Sequence, residues 1–295
     1  MDTDYTQRFL FEQTNVRGEH VYLGHSFADA LKFHKYPLCI KKLLGQMSVA
    51  AILLSSTLKF SGIFTLQARS SGPVSLLMAE CTHQQYFRIL ARFNDSTPLP
   101  DDASLAALLP QGQLLISVDT EKTKRYQSIV ALNQSTLDEC FTAYFRQSEQ
   151  LPTKLWLTAN DKQAAGFLLQ SLPTHENKTD VNTLYKKIND WEHATILADT
   201  LREEELLSPD TPALLSRLFH EDDLRIFEKT PVSFRCPCSK ERISRSLLAL
   251  GEAELKGILA EQRHIDTYCQ FCNHQYYFSE EEIFRLIKNS DADHY

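Results

Sequence analysis

Toward the end of the sequence, Cys236 and Cys238 stand one residue apart and Cys269 and Cys272 two apart, with thirty residues between the pairs. Four thiols so arranged suit tetrahedral zinc, which takes Cys thiolates at about 2.3 Å and in a closed structural site keeps no water to activate. Between the pairs, Ile243, Leu247, Leu248, Leu250, Leu255, Ile258 and Leu259 supply only a small apolar cluster. So few core residues rarely hold about sixty residues unaided, which is why a metal would matter here. Ile265 to Tyr268 and Gln275 to Phe278 read as strand arms around the second pair, and Ser279 with Glu282 as the capping box of a closing helix. His264 and His274 flank the second pair, but four cysteines already fill the coordination shell, so both read as surface residues.

A static zinc module generally uses C-x-x-C in both halves. The C-x-C pair differs, because oxidation would close a very tight ring, and strained disulfides are the labile, regulatory kind. A static and a redox role both stay open at this level. Cys39, Cys81 and Cys140 lie among apolar neighbours and read as buried free thiols. With seven cysteines and two acids among the first residues where an export signal carries basic ones, we expect a chain that stays in the cytoplasm without a static disulfide framework. The longest apolar run, Met47 to Leu54, is too short to cross a bilayer, so no membrane association is expected. A formal net charge of −7 argues against general affinity for phosphate backbones, so no nucleic-acid partner is expected.

The fold class expected is α+β, in three parts. Residues 1–173 form an N-terminal antiparallel-sheet domain with packed helices: a helix from Pro37 to Thr57, a meander of strands at Ile63 to Ala68, Val74 to Glu80, Tyr86 to Ala91, Leu114 to Val118 and Tyr126 to Ala131, then a helix from Thr136 to Gln150 with a capping-box-like start at Ser135 and Asp138, and strands near Leu155 and Phe167. Residues 174–231 form a helical linker in which Asp180 caps a helix, Leu184, Tyr185, Ile188, Trp191, Ile196, Leu197 and Leu201 give an apolar face, and Thr211-Pro212 starts another helix. Such helices are marginal alone and must dock on the first domain. Residues 232–295 form the small zinc-binding domain.

The C-x-C followed by about thirty residues and a C-x-x-C resembles the Hsp33 family of redox-regulated chaperones, as do Asn15 to Glu19, Thr57 to Phe60, Tyr126 to Val130 and Tyr144 to Pro152. The resemblance implies an ATP-independent holdase, not an enzyme, that is inactive while Cys236, Cys238, Cys269 and Cys272 hold one Zn²⁺ per chain. It further implies that oxidation by hypochlorous acid, or by peroxide with heat, forms disulfides Cys236 to Cys238 and Cys269 to Cys272. Zinc is then lost, the C-terminal domain and linker unfold, and unfolded client proteins are bound by an active homodimer. Rival readings are a thiol-disulfide oxidoreductase using Cys269 and Cys272, or a static zinc module binding nucleic acid. Pairings of Ser148 with Glu149, or of His83 with Cys81, have no recognisable third group for catalysis.

Overall fold

In the computed structural model, residues 4–96, 98–120, 126–149, 151–173 and 181–292 are described. Two compact units divide between Arg235 and Cys236. The first begins with strands β1 (Tyr5–Phe11) and β2 (Val16–Leu23) and helices α1 (His25–Leu31) and α2 (Leu38–Thr57). There follow β3 (Gly62–Arg69), β4 (Val74–Thr82), β5 (Tyr86–Phe93), the turn-length α3 (Leu105–Leu108), β6 (Gln113–Thr120) and β7 (Tyr126–Ala131). Helix α4 (Leu137–Tyr144), extended by a π-helical turn over Phe145–Glu149, leads to β8 (Thr153–Ala159) and β9 (Ala164–Ser171). Residues 181–234 contribute α5 (Val181–Ala198), α6 (Glu203–Leu206), α7 (Thr211–Leu218) and the short strands β10 (Leu224–Ile226), β11 (Thr230–Pro231) and β12 (Ser233–Phe234).

These strands make two sheets rather than one meander. The first runs β10-β1-β2-β9-β8, with β11 sharing the outer edge of β1, and the second β12-β5-β4-β3-β6-β7. The meander expectation fails at β6, which returns beside β3 instead of β5. The hairpins themselves agree with the alternation read from sequence. Helix α2 packs on strands of both sheets, so it is apolar around most of its circumference, with Ile40, Leu44, Met47, Ile52 and Leu53 completely enclosed. It is long and apolar enough to cross a bilayer, but 78% of its most apolar window is buried within the fold. Counting only uninterrupted apolar residues understated it, because Ser48 and Ser55 are buried with their hydroxyls donating to helix carbonyls.

The opposite face of the first sheet carries a second core. Phe9, Phe11, Phe167 and Leu169 meet Ala194 and Ala198 of α5, Leu206 of α6, and Leu214, Leu215, Leu218 and Phe219 of α7 and its end. Gly18 makes this possible, because a Cβ there would fall 2.0 Å from the Phe9 ring. The docking face is rotated from the one expected. Trp191, Leu197 and Leu201 pack against the cluster, but Ile188 and Ile196 are 45% and 66% exposed, and Tyr185 is exposed as well. Alanines at 194 and 198 let α5 approach the aromatic sheet, a stripe that a search for large apolar residues passes over. Asp180 and the side chain of Leu184 fall outside the described residues.

Two cap assignments shift by one residue. Helix α4 is capped by Thr136, whose hydroxyl accepts from the Glu139 amide, while the Glu139 carboxylate accepts from the Ser135 amide. Helix α7 is capped by Asp210, which accepts from the Ala213 amide. Thr211 is thereby left for a buried polar latch, 2.8 Å from His20 Nδ1 and 3.0 Å from the Tyr5 hydroxyl, which donates to the Pro209 carbonyl. His20 Nε2 lies 3.2 Å from the Leu206 carbonyl, so the neutral ring donates there and accepts from Thr211.

Burial pushes His20 down to about 4, reinforced by Lys229, whose ammonium sits over the Tyr5 ring. A histidine depressed from 6.5 stabilises docking fully above that value, and the contribution is lost as pH falls through the window down to about 4. The loss is about 3 kcal/mol. The chain has two tryptophans, Trp156 and Trp191, and both pack against this cluster. We therefore expect their fluorescence to shift red in reduced protein between pH 7 and pH 4.5. A spectrum unchanged over that range would remove His20 from the latch.

Candidate metal centre

The second unit holds α8 (Lys240–Leu248), α9 (Glu252–Gln262), a hairpin of β13 (His264–Tyr268) and β14 (Gln275–Ser279), and α10 (Glu280–Ala292). Its core is small: Leu247, Leu255, Leu259, Ile265, Cys269, Tyr276, Phe278, Ile283 and Ile287. The capping box expected at the last helix is present, with the Ser279 amide donating to the Glu282 carboxylate at 3.0 Å and the Glu282 amide to the Ser279 hydroxyl at 3.3 Å.

Cys269 and Cys272 occupy the turn between β13 and β14. The turn is closed by the Cys269 amide donating to the His274 carbonyl and the Asn273 amide to the Cys269 carbonyl, with Asn273 at a left-handed φ of 53°. Cys236 and Cys238 lie on the segment before Ser239, whose hydroxyl caps α8. The four sulfur atoms converge, all lying within 4.8 Å of one another. Between the pairs, Cys236 and Cys269 lie 3.6 Å apart and Cys238 and Cys272 3.4 Å. Sulfurs each about 2.3 Å from a tetrahedral zinc would sit roughly 3.8 Å apart, so this donor set fits that ion in number, softness and spacing.

The electrostatics point the same way. With no positive charge among them, crowded thiols resist ionising together: burial pushes Cys236 up to about 11, and burial with hydrogen bonds to Cys238 and Cys236 pushes Cys272 up as well. Cys269 goes the other way. Its burial also raises it, but the backbone amides of Cys272 and Phe271 and the Cys236 and Cys272 thiols outweigh that and hold it below the ordinary thiol value. A bound cation would supply the positive charge that crowded thiols need to ionise together. Tyr276 borders the site, its hydroxyl held up by a hydrogen bond to Cys238. That neighbour had no sequence signal beyond lying on the hairpin arm.

The histidines are engaged elsewhere. His264 lies 3.2 Å from Asp266 and stacks on Tyr277, and the His274 ring packs edge-on against Tyr276. The catalytic pairings do not assemble: His83 Nδ1 accepts from the Gly62 amide, while Cys81 is buried beside Gln85. The side chains of Ser148 and Glu149 are outside the described residues.

Cys39, Cys81 and Cys140 are at most 3% exposed. Burial pushes all three thiols up, Cys81 to about 12, which removes the thiolate that oxidants attack. Replacing all three by alanine should leave any oxidative switching intact while costing on the order of 1 kcal/mol of stability per site. Loss of switching in a variant that keeps its fold, followed by circular dichroism, would relocate the redox centre.

An α+β body joined to a small compact unit in which four thiols converge defines a class of protein, one that couples a two-sheet domain to a candidate metal centre. The comparisons give the family. The Hsp33 protein family matches residues 4–279. The 33 kDa chaperonin of Ectopseudomonas mendocina is 45% identical over 291 residues, covering 98% of this chain and 97% of its own length. That of Pseudomonas aeruginosa is 46% identical, covering 98% and 96%. The crystal structure of the Thermotoga maritima 33 kDa chaperonin superposes with a TM-score of 0.82 at 23% identity, covering 98% of this chain and 99% of that one. The chain belongs to the Hsp33 family of redox-regulated chaperones.

Proposed function

We propose that the chain is an ATP-independent cytoplasmic holdase governed by the oxidation state of Cys236, Cys238, Cys269 and Cys272. In the reduced state these residues would hold one zinc ion, whose charge lets all four crowded sulfurs be thiolates at once and ties the segment before α8 to the β13–β14 turn. Oxidation joins Cys236 to Cys238 and Cys269 to Cys272, each pair giving two electrons to an oxidant such as hypochlorous acid. A disulfide sulfur has lost the negative charge that made it a ligand. Rings this small do not replace a cross-link spanning thirty residues, so the second unit unfolds. Residues 224–234 run directly into Cys236 and lose their C-terminal anchor, the linker helices undock, and the face bearing Phe9, Phe11 and Phe167 becomes available to unfolded clients, held by a dimer of the active form.

The observation that carries this reading is the convergence of four sulfurs within 4.8 Å in a unit of so small a core. A thiol-disulfide oxidoreductase has less support, because the reactive C-x-x-C of such enzymes opens a helix, whereas this pair lies in a hairpin turn. Sulfurs of different pairs also come close, Cys236 to Cys269 and Cys238 to Cys272, and bonds between those would keep the halves tied. The proposed switch requires disulfides within pairs, so peptide mapping of the oxidised protein should find those, and bonds between pairs would overturn the release of the second unit. Zinc content and suppression of aggregation, measured on one preparation before and after oxidation, should change together, from one equivalent and no suppression to none and full suppression. Equal suppression by reduced, zinc-loaded protein would sink the switch.

A further inference from the structure

The outer edge of β1 is closed by the chain's own residues 224–231, with Phe9 opposite Ile226, Phe11 opposite Leu224 and Tyr5 opposite Pro231. We propose that this edge is the docking site for an extended segment of an unfolded client, which adds to the sheet antiparallel to β1 in place of that strap. The proposal rests on the redox switch above and names the surface the switch uncovers.

Polar groups of even-numbered β1 residues and their neighbours face the strap. The Arg8 carbonyl accepts from the Phe227 amide, the Asp4 carbonyl from the Val232 amide, and the Glu12 amide donates to the Asp223 carbonyl, each at 2.9 Å. Any extended chain can supply these partners, because they are main-chain groups and carry no sequence requirement. The strap itself is seated lightly. Arg225, Ile226, Phe227, Glu228, Lys229, Thr230 and Pro231 are all exposed, and only Leu224 and Val232 at its ends are tucked in against the cores. Its pairing is interrupted between Ile226 and Thr230. There Gln7 Nε2 donates to the Phe227 carbonyl while Gln7 Oε1 stays buried without a hydrogen-bond partner among the described residues.

An incoming strand would gain more than this strap does. Undocking α7 removes Phe219 from Phe9, Phe11 and Phe167, whose rings lie 5.0 to 6.4 Å from it. Alternate side chains of a strand paired with β1 fall on that aromatic floor. The chemistry selected is an extended segment with aromatic or aliphatic residues at every second position, which unfolded proteins expose and folded ones bury.

The test uses the full chain, a permanently unfolded carboxymethylated client, and a synthetic peptide of residues 223–232 as competitor. By strand alternation the amides of Thr6 and Leu10, which pair with Thr230 and Arg225, face the strap. They should resist hydrogen exchange in reduced protein, lose that protection on oxidation, and regain it at least tenfold with client or with peptide. The peptide should also lower aggregation suppression. Leu10→Pro, which removes one edge donor without touching the β2 ladder, should raise several-fold the oxidised protein needed for half suppression. Unprotected amides in the client complex, or suppression indifferent to saturating peptide, would overturn the proposal. So would amides that stay protected after oxidation without client, which in a monomer means the strap never leaves and in a dimer that a second copy fills the edge. Zinc release and suppression by the unmodified oxidised protein, measured first, test the switch separately.

Discussion

Cys269→Ser should reduce zinc content from one equivalent per chain to a small fraction and unfold the second unit without any oxidant. Of the four cysteines this one is the most buried, 4% exposed, and the backbone amides of Cys272 and Phe271 both favour its thiolate. Structural zinc contributes roughly 10 to 16 kcal/mol in small zinc peptides, as much as the whole stability of an ordinary domain. The core around Phe278 and Ile283 cannot offset a loss of that size. Metal analysis, with amide exchange of β13 and β14, should show both effects, and aggregation suppression should appear in reducing buffer. Full zinc occupancy with an intact hairpin would mean that a residue outside the four cysteines completes the site.

Leu215→Asp should give chaperone activity in reduced protein that still carries zinc. Leu215 is 1% exposed in the cluster that holds the linker to the first sheet. An unpaired carboxylate there costs several kcal/mol, and about 4 kcal/mol lowers the docked population relative to the undocked by a factor near a thousand. Ile188→Asp is the matched control, since its side chain is 45% exposed and a charge there meets water. Tryptophan fluorescence should shift red for the first variant and stay for the second. If Leu215→Asp undocks the linker by that measure yet fails to suppress aggregation, linker release is not what exposes the client surface.

What the sequence made legible follows the strength of its local signals. Strands β3 to β7 alternate cleanly and are separated by turn residues, so their positions were readable, whereas their order depends on β6 returning beside β3, a long-range pairing with no local mark. Strand β1 escaped because its residues do not alternate: polar Gln7 stands among Tyr5, Phe9 and Phe11 on the buried face, and the other face mixes buried Thr6, exposed Arg8 and half-buried Leu10. The two- and three-residue strands β10 to β12 are too short to have a period at all. In α5, Ala194 and Ala198 are the fully buried docked residues, while Trp191 and Leu197 pack only partly. The thiol cluster was legible because four metal-ligating side chains in two close pairs have few other uses. The latch was not: Thr211 beside Pro212 looks like a cap until Asp210 is seen in that position.

The position of the strap in the chain also sets a clock. Strand β1 is finished at Phe11, but the residues that close its outer edge begin at Leu224. At about 5–20 residues per second of synthesis, roughly 10 to 40 seconds separate the two, and Cys269 and Cys272 emerge later still. Each newly made molecule therefore passes through an interval in which its first sheet has an open edge and its linker has no finished module behind it. The closed form is the last state reached during biosynthesis, and under the proposed switch oxidation would return a mature molecule to an arrangement it already held while being made.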